Sequence, residues 1–117
     1  MSTTKPDYAG PDRRRRRVYV TQNHEYHCKD GVCIAVREVQ TGTFVPKHAA
    51  VGKRVTGALV FRGRTIESII APEDAVPGQR IHFAVDVEDR EDVLTSSLKA
   101  ILRPPREVVA QYDLALR

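Results

Sequence analysis

The dipeptide Asp30-Gly31 constrains the fold of this chain more than any other feature of its sequence. It separates two β-prone segments, residues 24–29 and residues 32–39. A two-residue turn of this composition is preferred in β-hairpins, because both of its residues must adopt positive φ angles. The sequence therefore predicts an antiparallel hairpin centred on this dipeptide.

The turn also predicts which residues of the two strands face one another. Counting outward from it gives four opposed pairs: Lys29 with Val32, Cys28 with Cys33, His27 with Ile34, and Tyr26 with Ala35. One face then carries Val32, Ile34 and Val36, and the other carries Tyr26, Cys28, Cys33 and Ala35. Apolar residues on both faces are typical of a sheet covered on both sides, as in a closed or partly closed barrel.

Further turns follow at short intervals along the chain. Glycine-containing dipeptides predict turns at Thr41-Gly42, Arg62-Gly63 and Pro77-Gly78, and the last of these is typical of a type II turn. Apolar residues alternate with others over residues 80–87, as in a half-buried strand. Short strands separated by frequent turns predict a mainly β fold, namely a small barrel or sandwich of short antiparallel strands.

The C-terminal third fits more than one secondary structure. Residues 92–103 place apolar side chains at helical spacing before Pro104-Pro105, yet alternate positions are also apolar, as in a strand. Residues 108–116 alternate as a strand would, although Pro105 also suits the start of a helix. Of these alternatives we favour one short helix over residues 92–103 followed by a final strand.

Positive charge is concentrated at the N-terminus. The chain has 117 residues and a net charge of +4. Residues 1–17 contain six basic and two acidic residues, whereas the remaining 100 residues contain 13 of each kind. Residues 1–12 lack hydrophobic periodicity and hold two prolines, which predicts disorder. We therefore predict a disordered basic arm over residues 1–17 and a single β-rich domain over residues 18–117.

Five consecutive arginines of the arm are the candidate binding residues: Arg13, Arg14, Arg15, Arg16 and Arg17. Guanidinium groups bind phosphate groups bidentately. We interpret the chain as a non-catalytic regulatory or binding module that contacts a phosphate-bearing partner, either nucleic acid or a nucleotide. A solvated, solubilising arm is the simpler interpretation of the run. The alternative function is a protein–protein adaptor that uses a sheet face or a strand edge.

The spacing of Arg13 and Arg17 is similar to the Arg-x-x-x-Arg motif of PilZ domains, which are small β-barrels that bind cyclic di-GMP. The resemblance implies a cyclic-dinucleotide receptor. The second motif of that family, Asp/Asn-x-Ser-x-x-Gly, has its nearest counterpart in residues 38–42, which differ in residue types and in glycine spacing. A run of five arginines also satisfies the first spacing automatically, so this function is a minor alternative.

Cys28, Cys33 and His24 form a second group of candidate residues. The two cysteines face each other next to the turn, where Cα atoms of a non-hydrogen-bonded pair approach to about 4.5 Å and a reversible disulfide can form. The pair is therefore a candidate thiol redox sensor. With His24 it also offers part of a metal site, but zinc requires four ligands. The simpler interpretation is two small buried residues, and we predict neither a metal nor a cofactor.

No pattern in the sequence is typical of a catalytic site, so we predict that the protein is not an enzyme. His27, His48 and His82 have no acid or base partner nearby in the sequence, and His82 is expected to be a surface residue. Residues 95–97 lack the Gly-x-Ser-x-Gly turn of a serine nucleophile. The acidic residues 88–92 fit a solvated loop.

The sequence shows no apolar run of the length needed for a signal peptide or a membrane span. Together with the presence of only two cysteines, this favours a reducing compartment, and we expect the protein in the cytoplasm. The oligomeric state is not indicated by the sequence.

Overall fold

The computed structural model describes residues 16–105, 107–109 and 111. This part of the chain contains eight β-strands: β1 (Arg16–Val20), β2 (His24–Lys29), β3 (Val32–Glu38), β4 (Arg54–Arg62), β5 (Thr65–Ile70), β6 (Arg80–Ala84), β7 (Val93–Ser97) and β8 (Ala100–Leu102). A single 3-10 turn, Pro72–Asp74, follows β5, and residues 107–109 begin a short helical segment. The predicted mainly β fold is confirmed.

All paired strands are antiparallel, in the order β7-β6-β4-β3-β2-β1-β8, with β5 paired to β4 outside this path. The two end strands, β7 and β8, are consecutive in the chain. Between them, the Leu98 amide donates to the Gln79 carbonyl beside β6 (2.8 Å), and the Lys99 amide donates to the Val20 carbonyl of β1 (2.7 Å). One stretch of chain thus bonds to both ends of the strand order, and the sheet closes into a small barrel.

The core lies inside this barrel. Phe83 and Ile81 of β6 are fully buried, and the ring of Phe83 packs against Tyr26 of β2 with centroids 5.4 Å apart. Eleven buried residues form this cluster: Tyr19, Tyr26, Cys28, Cys33, Val36, Ala50, Val55, Ala58, Ile81, Phe83 and Leu98. Each of the seven strands in the order from β7 to β8 contributes a residue to this cluster or packs a side chain against it. Hydrophobic burial therefore joins strands that are far apart in sequence.

The predicted β2–β3 hairpin is present. Asp30 and Gly31 have φ angles of 53° and 82°, as a turn with two positive φ residues requires. The two pairs nearest the turn, Lys29 with Val32 and Cys28 with Cys33, are confirmed.

The outer pairs of the predicted register are wrong by one residue. His27 pairs with Ala35 rather than Ile34, and Tyr26 pairs with Val36 rather than Ala35. A β-bulge at this point inserts one extra residue into β3, and an extra residue exchanges the two faces of the strand beyond it.

The bulge changes which residues of β3 reach the core. Val36 joins Cys33 in the central cluster, whereas Ala35 packs on the other side with Ile34, Phe44 and Val108. The prediction that both faces of this hairpin are covered is therefore confirmed, with Val36 and Ala35 on the opposite faces from those predicted.

The helix favoured for residues 92–103 is wrong. This segment forms β7 and β8, which complete the barrel by pairing with β6 and β1. Thr95 of β7 is buried, and its hydroxyl accepts a hydrogen bond from the Ile81 amide (3.0 Å). Pairing with two existing strand edges outweighs the helical spacing of the leucines. The helical segment instead follows Pro105, where a final strand was favoured.

Candidate functional site

The structure describes two of the five predicted arginines. Arg16 and Arg17 are the first residues of β1, two residues before the predicted start of the domain, and they pair with Lys29 and Cys28 of β2. Arg13, Arg14 and Arg15 lie outside the described residues, as does the rest of the predicted arm. The last two arginines of the run are therefore held by the sheet.

Two contacts fix the side chain of Arg17. Its Nη1 atom donates to the Pro72 carbonyl (3.1 Å), and it also hydrogen-bonds to the hydroxyl of Tyr19. Burial, and to a lesser degree Cys28, raises the pKa of the Tyr19 phenol, while the contact with Arg17 opposes the rise. The raised pKa keeps the phenol neutral at neutral pH, so Tyr19 does not add a negative charge beside the guanidinium.

Arg17 lies between two cavities at this end of the barrel. The first is about 290 Å³ and is lined by Arg17, Tyr19, Cys28, Gly31, Arg54, Val55, Pro72 and Glu73. The second is about 340 Å³ and is lined by Arg16, Arg17, Glu73, Ala75, Pro77, Ile101, Leu102 and Arg103. Arg17 and Glu73 belong to both, so the two cavities adjoin.

Four arginines line this pair of cavities, namely Arg16, Arg17, Arg54 and Arg103, which we call the arginine rim. Glu73 is the one carboxylate among the lining residues of these two cavities. The excess of guanidinium groups makes the site suited to a ligand with more than one negative charge, such as a phosphate ester.

Sequence analysis missed Arg54 and Arg103. Arg54 begins β4, where it pairs with Val32 beside the hairpin turn, and Arg103 directly follows β8, the neighbour of β1. Both reach the rim through strand pairings that are distant in sequence, so no local signal marks them. Knowledge that residues 100–102 form a strand beside β1 would have located Arg103.

Cys28 and Cys33 face each other as predicted and are free thiols buried in the core. Cys33 exchanges backbone hydrogen bonds with Gly52 and Lys53, away from β2, so the cysteines form a non-hydrogen-bonded pair. The hydrogen bond with Cys33, and then burial, raises the pKa of the Cys28 thiol well above its ordinary value. A protonated, buried thiol is a poor nucleophile, so this environment disfavours redox exchange.

His24 does not complete a metal site with these cysteines. Its ring contacts those of Tyr26 and His48, with centroids 6.0 Å and 5.3 Å away. His24 and Cys28 are four residues apart on one strand, which separates them by roughly 13 Å along it. Within residues 16–105, 107–109 and 111, no three His, Cys, Asp or Glu side chains are placed to hold a metal ion.

A second polar cluster surrounds His82, for which the sequence indicates no acid or base partner nearby. The Nδ1 atom of His82 lies 2.5 Å from the Thr56 hydroxyl, and its Nε2 atom lies 2.6 Å from Asp92. The fold supplies a partner that the sequence does not indicate, because the β6–β7 connection folds back and brings Asp92 to the histidine. A cavity of about 460 Å³ lies beside this cluster.

The same connection is anchored by Lys53, whose ammonium group contacts Asp89 (3.0 Å) and the Glu91 carbonyl. Asp89 also accepts hydrogen bonds from the amides of Val85 and Glu91. These two backbone contacts and Lys53 lower the pKa of Asp89 to about 2. The acidic segment, expected to be a solvated loop, is thus held by specific bonds.

The His82 cluster joins three parts of the fold through side-chain hydrogen bonds. A hydroxyl, an imidazole and a carboxylate in series resemble a nucleophile relay, but acyl transfer also needs amide donors directed at the developing oxyanion. Around this cavity, the amides of Val85 and Glu91 already donate to Asp89. The contacts made by Thr56 and Asp92 connect β4, β6 and the loop that follows β6.

Comparisons with protein families, with curated proteins and with solved structures give no match to this chain. None of the helical segments found in the described residues has the length and apolar character needed to span a lipid bilayer.

Proposed function

We propose that this protein is a non-catalytic binding module that takes up a phosphate-bearing ligand at the arginine rim. The observation that carries the proposal is the convergence of four arginines, from β1, β4 and the residue after β8, on two adjoining cavities. Arg13, Arg14 and Arg15 directly precede the rim residue Arg16 in the sequence, and they lie outside the described residues.

The anchoring of Arg17 supports a preorganised site. Its guanidinium is held by the Pro72 carbonyl and by Tyr19, so little side-chain freedom would be lost when an anion binds. A guanidinium presents five donors, and two contacts to the protein leave others for a ligand oxygen. A phosphate placed between the cavities would approach Arg17 together with either Arg54 or Arg16 and Arg103.

The shape of the site favours a nucleotide over duplex nucleic acid. Cavities of about 290 and 340 Å³ lie in the range of small-molecule sites. A duplex is instead bound through a charged face or an inserted element. Two cavities that share Arg17 suit a ligand with two phosphate groups, so a cyclic dinucleotide belongs in the first panel of ligands tested.

The experiment is a binding screen on the full chain at low and high salt. The ligands are a mononucleotide, a cyclic dinucleotide, inorganic pyrophosphate and a single-stranded oligonucleotide. We expect saturable, salt-sensitive binding of at least one of the small ligands. Replacing Arg17 with Gln should weaken it by about tenfold or more, the usual size of a lost charged hydrogen bond.

Matched controls separate this site from general attraction to positive charge. Arg54→Gln and Arg103→Gln should each weaken binding, whereas Arg62→Gln, on a side chain that is 84% exposed in the β4–β5 hairpin, should leave it unchanged. Equal losses in all four variants would show that only net charge matters. Absence of binding to every ligand in the panel would overturn the proposal.

A further inference from the structure

Strand β5 is the most exposed strand of the barrel. Its residues Thr65 to Ile69 are all exposed, and Ile70 is half-buried. Within the described residues β5 pairs with β4 and no other strand, so its outer edge carries backbone groups without a strand partner. Edges of this kind are templates for pairing with another chain.

A bulge gives β5 one apolar face. Ile66 pairs with Phe61 and Ile69 pairs with Leu59, with the register shift lying between them. Opposed residues share a face, and Phe61 and Leu59 are two residues apart, so both isoleucines lie on the same face. Their exposures of 48% and 69% leave considerable apolar surface in contact with water.

The two ends of this segment carry opposite charges. Arg62 and Arg64 flank the start of β5, and Glu73 and Asp74 follow its end, all exposed. A copy of the segment aligned antiparallel would place its basic end against the acidic end of the first. A parallel copy would place like charges together, which costs energy.

The spacing of the isoleucines is compatible with the same alignment. A two-fold axis between Glu67 and Ser68 sets Ile66 of one chain opposite Ile69 of the other. It also sets Arg62 opposite Glu73. The ion pair between Arg62 and Glu67 (3.1 Å) lies within one chain and leaves the isoleucines uncovered, so it does not protect this edge from association.

We propose that β5 is a self-association surface, on which a second copy of this chain packs antiparallel. Burial of the isoleucines supplies the attraction, and the opposed charges select the orientation. The surface shares Glu73 with the cavities of the arginine rim but contains none of the four rim arginines, so the proposal does not depend on phosphate binding.

The first experiment measures the mass of the full chain by sedimentation, from micromolar to submillimolar concentration. We expect a monomer–dimer equilibrium. Ile69→Lys should weaken dimerisation by at least tenfold, because it places charge on the shared apolar face. Val87→Lys is the matched control, since Val87 is a fully exposed valine outside the hairpin. Circular dichroism would verify that both variants fold.

A charge exchange tests the orientation. Arg62→Glu should weaken the dimer, because residue 62 then sets a negative charge against Glu73 of the other copy, and adding Glu73→Arg should restore much of the loss. A monomer at every concentration would overturn the proposal, as would a dimer unaffected by Ile69→Lys. A dimer that Ile69→Lys weakens but the double variant fails to restore would overturn the antiparallel orientation.

Discussion

The β2–β3 and β4–β5 hairpins have similar lengths but opposite relations to the core. In β2–β3, Tyr26, Cys33 and Val36 enter the central cluster, while the other face is covered by Phe44 and Val108. In β4–β5, every residue of β5 is exposed or only half-buried. Both strands of the first hairpin thus belong to the barrel wall, whereas in the second hairpin β4 belongs to the wall and β5 lies outside the closed strand path.

Local turn chemistry does not explain this difference. Asp30 and Gly31 both have positive φ, whereas Gly63 alone does so in the β4–β5 turn, and both patterns are preferred in two-residue hairpins. The two hairpins differ in the strands that flank them. The β2–β3 hairpin is flanked by β1 and β4, whereas the outer edge of β5 meets no other described strand. Tertiary neighbours therefore determine which hairpin carries stability and which offers surface.

The largest expected effect is that of truncating an aromatic side chain in the buried hairpin. Tyr26 packs against Phe83 and His48, and Tyr26→Ala should lower the free energy of unfolding by about 3–5 kcal/mol. Ile69→Ala, on the exposed hairpin, should change it by about 0.5 kcal/mol or less. Urea denaturation at a concentration where the monomer predominates would measure both. Similar losses would remove the contrast between the hairpins.

A smaller effect is expected where the exposed hairpin approaches the barrel most closely. A Cβ atom added at Gly57 would lie 3.1 Å from both the Ile69 side chain and the Ile70 carbonyl oxygen. The carbonyl belongs to the paired backbone and cannot move freely, so Gly57→Ala should destabilise the protein by about 1–3 kcal/mol. Faster amide exchange confined to β5 would accompany it. An unchanged free energy of unfolding would show that β5 moves away from the added methyl group without destabilising the protein.

Acid should weaken the buried hairpin through His27. Burial lowers the pKa of His27 below its ordinary value of 6.5, with Glu25 opposing the shift. The unfolded chain therefore takes up a proton first, and stability declines as the pH falls from about 6.5 toward the folded pKa. His27→Gln should flatten the dependence of the urea midpoint on pH between 8 and 5. His48, whose pKa burial also lowers, should contribute to the slope that remains.

The smallest expected effect is that of oxidant on the two thiols. Cys28 and Cys33 are buried in the same hairpin, so the folded protein should retain two free thiols after mild oxidation. Titration before and after denaturation would count them. Rapid loss of both thiols from the folded protein, accompanied by an intramolecular disulfide, would instead support the redox-sensor interpretation.

Sequence patterns predicted the local features of this fold well. The Asp30-Gly31 turn, the pairing of Cys28 with Cys33 and the mainly β class follow from requirements that act within a few residues. The bulge in β3 was missed, because nothing in its residues distinguishes a strand with one extra residue from a regular one. A single inserted residue then reversed the faces assigned to Ala35 and Val36.

The non-local features could not be predicted in the same way. Residues 92–103 carry both helical and alternating patterns, and the edges of β6 and β1 decide between them. The same pairings bring Arg103 to the arginine rim and Asp92 to His82. The arginine run was identified from charge alone, but Arg54 reaches the site through the pairing of β4 with β3, and Arg103 reaches it through the pairing of β8 with β1.

Closure of the barrel also determines which strands a ligand bound at the arginine rim would connect. Arg16 begins the first strand and Arg103 directly follows the last, and both line one cavity. An anion held there would bridge the first strand and the residue that follows the last strand without a covalent bond. Such a molecule should slow opening of the seam between first and last strands, so resistance to proteolysis would report occupancy of the site.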